Sequence, residues 1–217
     1  MESRPTGLYD ARVGTRTSHA RSPEETRGRI LRAAFEEFYR HGYQGGSLNR
    51  IIEESGTTKG ALFHHFQGKG DLGKAVLEEV IRPSIRASWL EPLADTDDPI
   101  AEVKRTVRGF AKRGSESGRL LHGCPLNNLA QEMSPLDEEF RRRIEAIYAE
   151  WRGTLERAFA RGREAGTVRE DASPRNVAAF VVAALAGMIG TAKNSQSEAL
   201  LKQAGGAFFD YLDGLRP

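Results

Sequence analysis

Residues 47–72 read SLNRIIEESGTTKGALFHHFQGKGDL, and the parsing of this stretch decides the fold. Ser47 can cap a helix whose apolar residues Leu48, Ile51 and Ile52 share one face at helical spacing. Gly56 stands where a helix ends in a left-handed residue. Thr57 and Thr58 then offer hydroxyl caps to a second helix, Lys59 to about Phe66. Two short helices joined by a tight glycine-containing turn make a helix-turn-helix. The second helix opens Lys59-Gly60-Ala61, a poor sequence for a core, and continues with His64 and His65. Small residues near the start and polar ones beyond suit a helix that enters a major groove.

Upstream, Ser22-Pro23-Glu24-Glu25 is a helix start: a serine cap, proline at the first helical position and glutamate completing a capping box. Ile30, Leu31, Ala34, Phe35 and Phe38 form its apolar stripe and Gly42 closes it. With this support helix in place, residues 26–72 resemble the DNA-binding domain of the TetR family of transcriptional regulators. The resemblance is carried by TRGRILRAAFEEFYRHGY and by I-x-x-x-S-G-T-T-K-G-A-L-F-H-H-F-x-x-K-x-x-L. It implies DNA contacts from Ser47, Thr57, Thr58, Lys59, Gly60, Ala61, Phe63, His64 and Lys69. Ser47, Thr58 and Lys69 would hold phosphates, while Lys59, Ala61 and His64 would face base edges or adjacent backbone. Four positions depart from the family pattern. Ile52 stands for a small residue, Thr57 for valine, Phe63 for a tyrosine whose hydroxyl often meets a phosphate, and Gly70 for glutamate.

The chain has 217 residues, enough for one large or two small domains. The net charge is only +2, so any basic footprint must be local. The single cysteine, Cys124, excludes an intramolecular disulfide and a cysteine-rich zinc site, and fits a reducing cytoplasm. No apolar run marks a signal peptide in the first thirty residues. Residues 1–21 read as a disordered basic tail, with Arg4, Arg12, Arg16 and Arg21 against Glu2 and Asp10. Such a tail is either merely solvated or an arm that reaches phosphates or the minor groove.

Domain boundaries are expected at 22–70 for the helix-turn-helix domain and 71–217 for a helical regulatory and dimerisation domain. A helix from about Asp71 toward Trp89 contains Pro83, which should kink or end it, and residues 91–99 read as a loop. Asp98-Pro99 opens another helix, broken at Gly114 to Gly118. Ser134-Pro135 is expected to open the longest, with Leu136, Phe140, Ile144, Ile147, Trp151, Leu155 and Phe159 as its face. Ser173-Pro174 opens a helix holding the longest uncharged stretch, Asn176 to Ala192. That stretch is shorter than the roughly 20 apolar residues of a membrane span, so a helix buried on several sides is expected. Ser195-Gln196-Ser197-Glu198 reads as a capping box for the last helix. Two such C-terminal helices suggest a homodimer, as the family resemblance also implies. Its interface would use Phe180, Ala183, Ala184, Gly187, Phe208 and Leu212. A monomer that buries both helices is the other reading.

Residues 121–134, LHGCPLNNLAQEMS, are the second distinctive stretch. They resemble a G-C-x-x-x-N-L-A-x-E-x-S pattern of one TetR branch, with Asn127 departing from its usual glycine. The resemblance implies either electrophile or oxidant sensing through Cys124 or binding of a small molecule without covalent chemistry. Cys124 precedes Pro125, a first-turn residue, so a helix N-terminus would favour its thiolate. The plainer reading is a small buried hydrophobe. Phe110, Asn127, Asn128, Tyr148, Trp151 and Phe180 are candidate ligand-lining residues.

The fold class expected is all-α: an N-terminal three-helix helix-turn-helix domain and a C-terminal helical ligand-binding and dimerisation domain. The partners expected are double-stranded palindromic operator DNA, a second copy of the chain and a small-molecule effector that releases it, with no membrane. Its role would be repression. No metallopeptidase, Walker or dinucleotide motif is present, and His64 and His65 diverge by about 100° on a helix, a poor chelate. No catalytic residue, metal or cofactor is therefore expected. A helical enzyme or an adaptor is the alternative from another class.

Overall fold

Caps set the helix starts. The computed structural model describes residues 22–217, and the expected basic tail, 1–21, lies outside the described residues. Helix α1 spans Pro23–His41; the Ser22 hydroxyl accepts the Glu25 N–H at 3.1 Å and Glu25 accepts the Ser22 N–H in return. Helix α2, Leu48–Ser55, starts at Ser47 and ends at Gly56, left-handed at φ 57°. Helix α3, Lys59–His65, is capped by Thr58, whose hydroxyl accepts the Ala61 N–H at 3.1 Å. Both pack on α1 around Ile30, Ala34, Ile51 and Leu62, all fully buried.

Helix α4, Lys69–Val76, begins two residues before the expected start, and the expected domain boundary falls inside it. Pro83 does not end the helical run. A π-turn at Leu77–Ile81, α5 at Arg82–Ile85, a second π-turn at Arg86–Leu90 and α6 at Glu91–Ala94 carry it on. Pro83 sits in the first turn of α5, where the register shift removes the need for its missing N–H. The loop expected from residue 91 therefore begins only at Asp95.

Helix α7, Pro99–Glu116, is capped by Asp98, and Gly118 at φ 67° turns the chain toward a short 3₁₀ turn at Leu120–His122. Helix α8 spans Pro125–Met133 and the longest helix, α9, spans Glu138–Glu164. Ser134 does not open α9. Asp137 does, accepting the N–H groups of Glu139 and Phe140 at 2.8 and 3.0 Å, and Leu136 is left 61% exposed in the turn. The other six residues of the expected face, Phe140 to Phe159, are buried.

Helix α10, Pro174–Ser195, is capped by Ser173, and α11, Glu198–Asp213, by Ser197 rather than Ser195, with Gln196 left-handed between them. Val177, Val181 and Leu185 of α10 face inward, and the helix packs on α9 and α11. Phe180, Ala183 and Gly187 stay exposed, so α10 is not covered on all sides within one chain. By length and composition alone α10 could cross a membrane; a third of its apolar window is buried. Every regular element among the described residues is a helix, with no strand.

Candidate nucleic-acid interface and regulatory cleft

Helix α3 buries one side and offers the other. Leu62 and the following Phe66 are sealed in the core, while Lys59, Gly60, Phe63 and His64 are exposed. Phe63, 44% exposed, lies under Lys59, whose Nζ is 6.0 Å from the ring centroid. His64 meets His65 edge-on at 5.2 Å. Ala61 is half-buried beside Gly60, where an added Cβ would have ample room. The face thus presents one amine, one imidazole and a low backbone, suited to close approach by a polyanion.

The other expected DNA residues have intramolecular duties. Ser47 donates its N–H to Glu37 at 2.7 Å, and the Thr57 hydroxyl shares a hydrogen bond with Ser55 at 2.8 Å. Lys69 donates to the Gln44 carbonyl at 2.9 Å and lies 5.2 Å over the Tyr43 ring. Among the departures, Ile52 packs against the core and Gly70 leaves open space.

The sequence reading missed two residues that hold this unit together. Glu37 is 1% exposed and accepts from Ser47 N–H and from Arg50, through Nε at 2.9 Å and Nη2 at 2.5 Å. Burial pushes its carboxyl up, but the Arg50 hydrogen bonds, the Ser47 N–H and the Arg50 charge outweigh it, so it titrates below its ordinary value. The available signal was a carboxylate seven residues after Ile30, on the buried stripe. Arg29 donates to the carbonyls of Ser55 and Gly56, tying α1 to the turn between α2 and α3.

The expected ligand residues separate into three places. Cys124, Asn127, Asn128 and Tyr148 gather at the start of α8, where the Tyr148 hydroxyl meets Asn127 Oδ1 at 3.4 Å. Phe110 stacks on Trp89 at 5.6 Å, and Trp89 lies 4.8 Å from Trp151, a filled core cluster. The Trp151 Nε1 proton is buried there without an acceptor among the described residues. Phe180 lies elsewhere, against Tyr211 at 4.4 Å on the exposed flank of α10, so it lines no common pocket with the others. An open cleft of about 830 Å³ runs between the end of α1, the start of α8 and the end of α10. It is lined by Tyr39, Arg40, His122, Asn127, Asn128, Glu132 and Lys193, among others.

Cys124 is the N-cap of α8, as its neighbour Pro125 implied, and the N–H groups of Asn127 and Leu126 point at its sulfur. Cys124 is half-buried, and desolvation outweighs those N–H groups and pushes the thiol above its ordinary value, against the direction expected from a helix N-terminus. Lys193 approaches this corner but bonds Asn128, not the sulfur. Two expected interface residues also need correction. Phe208 and Leu212 are 4% and 0% exposed because they pack in the chain's own core. Phe180, Ala183 and Gly187 are exposed and Ala184 is half-buried.

Known proteins agree with this layout. Residues 30–76 match the family described as bacterial regulatory proteins, tetR family, and residues 110–208 match tetracyclin repressor-like, C-terminal domain. The HTH-type transcriptional regulator LmrA of Bacillus subtilis is 30% identical over 154 residues, 66% of this chain and 80% of that protein. The HTH-type transcriptional repressor DhaR of Mycobacterium sp. is 25% identical over 177 residues, 78% and 82% of the two chains. An uncharacterized HTH-type transcriptional regulator of Lactococcus lactis is 29% identical over 125 residues, 58% of this chain. The match spans 63% of that relative's length, under two thirds. The crystal structure of a TetR transcriptional regulator from Chloroflexus aurantiacus superposes with a TM-score of 0.76 at 25% identity, covering 88% of this chain and 96% of that one.

Proposed function

The chain belongs to the TetR family of transcriptional regulators, and from that premise we propose that it is a cytoplasmic, dimeric, one-component repressor released from palindromic operator DNA by a small molecule. The observation that carries this reading is the exposed face of α3, with Lys59, Gly60, Phe63 and His64 lifted off a sealed core. Residues 22–70 form the reading head. Lys59, Ala61 and His64 meet base edges or nearby backbone. Ser47, Thr57, Thr58, Gly60, Phe63 and Lys69 line the backbone contact. The repressor named among the relatives supports the sign of regulation.

A second copy covers the flank of α10 that carries Phe180, Ala183, Ala184 and Gly187. Small residues four apart let two such helices approach closely, and two-fold symmetry matches a palindrome. The effector sits against Asn127, Asn128 and Tyr148 beside the cleft and works by shifting the population of head spacings. Non-covalent binding is the better-supported mode, because the cleft is lined by hydrogen-bonding side chains such as Asn127, Asn128 and Lys193 and not by Cys124. Selection from random duplex DNA tests the reading. Enrichment of one palindrome bound by a dimer is expected, and Phe180→Glu should leave monomers without full-site affinity. No enrichment at low salt would sink it.

A further inference from the structure

The residues of the 123–134 motif converge on the junction with α1. The Gly123 carbonyl accepts the Tyr39 hydroxyl at 2.7 Å. Gly123 has φ 91°, and an added Cβ would lie 2.7 Å from Asn128 Oδ1, so the corner admits only glycine. Asn128 closes it, donating to the His122 carbonyl at 2.9 Å and accepting from Lys193 at 3.0 Å. Leu129 is buried beneath. Near the far end of α8, the Glu132 carboxylate accepts the N–H groups of Tyr43 and Gln44 at 2.7 and 2.6 Å.

Those two N–H groups belong to the turn that leaves α1. Gly42, at φ 76° and ψ 162°, takes the chain out of the helix, and an added Cβ there would lie 3.2 Å from Glu132 Oε2. Lys69 holds the same turn through the Gln44 carbonyl and the Tyr43 ring, and the Tyr43 ring stands edge-on to Phe140 of α9 at 5.0 Å. The turn runs directly into Ser47, the cap of α2, and α2 and α3 pack together on α1. A displacement of the turn therefore moves the helix that carries Lys59 and His64. Helix α8 is nine residues, about 13 Å, and its Asn127, Asn128 and Glu132 line the cleft, as does Gly42 of this turn.

We propose that Glu132 is the positioning residue through which the regulatory domain sets the angle of the reading head, with α8 carrying both the cleft wall at Asn127 and Asn128 and the carboxylate that holds the turn at residues 42–46. The proposal rests on the DNA-binding, two-headed reading above. Glu132 does not touch DNA in it. It fixes where each head points, so it governs simultaneous engagement of two half-sites and not the grip of either head alone.

The test uses the full chain and the palindrome selected by the wild type, with a duplex carrying one half-site beside it. Glu132→Ala is expected to weaken the full site on the order of tenfold, the scale of coupling between sites, and to leave half-site binding and the circular dichroism spectrum unchanged. Glu132→Gln keeps one acceptor oxygen and should fall between. Equal binding of both duplexes by wild type and Glu132→Ala would overturn the proposal. So would a proportional loss on both duplexes, which marks a damaged head. A wild type that selects no DNA fails the underlying reading and removes the proposal with it.

Discussion

Glu37 and Glu132 each accept backbone N–H groups from the segment between α1 and α2, one from inside the reading head and the other from α8. Glu37 is 1% exposed and shares its charge with Arg50 of the same domain. Glu132 is half-buried, lines an open cleft and reaches across to another domain. The first clamp holds the head's internal shape. The second holds its attitude toward the rest of the molecule, where water has access and an effector has room. The difference teaches that stability and regulation are assigned to separate carboxylates a few residues apart in space, so they should separate under mutation.

The largest effect expected is from Glu37→Ala, which strips several hydrogen bonds from a buried charged acceptor. Urea melts should show a loss of about 2 kcal/mol, with full-site and half-site binding falling together. A loss confined to the full site would erase the contrast with Glu132. The same clamp sets a pH dependence. Because the folded pKa of Glu37 is lowered, its contribution is complete above the ordinary carboxylate range and is lost as pH falls through the lowered value. Acid melts of wild type should therefore steepen at low pH, and Glu37→Ala should flatten them.

Thr58→Ala removes the cap of α3 and should cost about 1 kcal/mol, again on both duplexes and with no change in effector response. Alkylation of Cys124 by N-ethylmaleimide should be slow in the folded chain and rapid in urea; fast labelling of the native protein would revive the thiolate sensor. The smallest effect belongs to the far side of the junction. There residues 74–86, from α4 to the second π-turn, and α9 are joined by ion pairs of Lys74, Glu78, Arg82, Arg86, Glu139, Arg143 and Glu150. These are mostly half-buried at the protein surface and mutually redundant. Arg143→Ala should shift the melting midpoint slightly at low salt and not at all in about 1 M salt. A large, salt-insensitive shift would mean that the ladder, and not Glu132, sets the head.

The head was legible because its signals are local. Ser22, Ser47, Thr58, Gly42 and Gly56 each act within four residues, and each stands where the sequence put it. Downstream, the helices were legible but some starts were not. Ser134 and Ser195 compete with Asp137 and Ser197 for the cap, and only packing decides. Of the two outcomes expected at Pro83, a kink or an end, the end does not occur, since the π-turn on each side depends on how residues 77–90 meet α9. The partner of Glu132 lies 88 residues away at Gln44, a separation no motif spacing encodes. Phe208 and Leu212 looked like interface residues because an apolar stripe does not say which neighbour covers it.

The central claim is that the exposed face of α3 reads DNA. Its most direct test is a fluorescence-anisotropy titration over a salt series, using the selected duplex and a scrambled one, with wild type and Lys59→Ala/His64→Ala. The wild type should bind the selected duplex far more tightly, with steep salt dependence, and the double variant should lose most of that preference while staying folded. A double variant that still prefers the selected duplex as strongly as wild type would contradict the account.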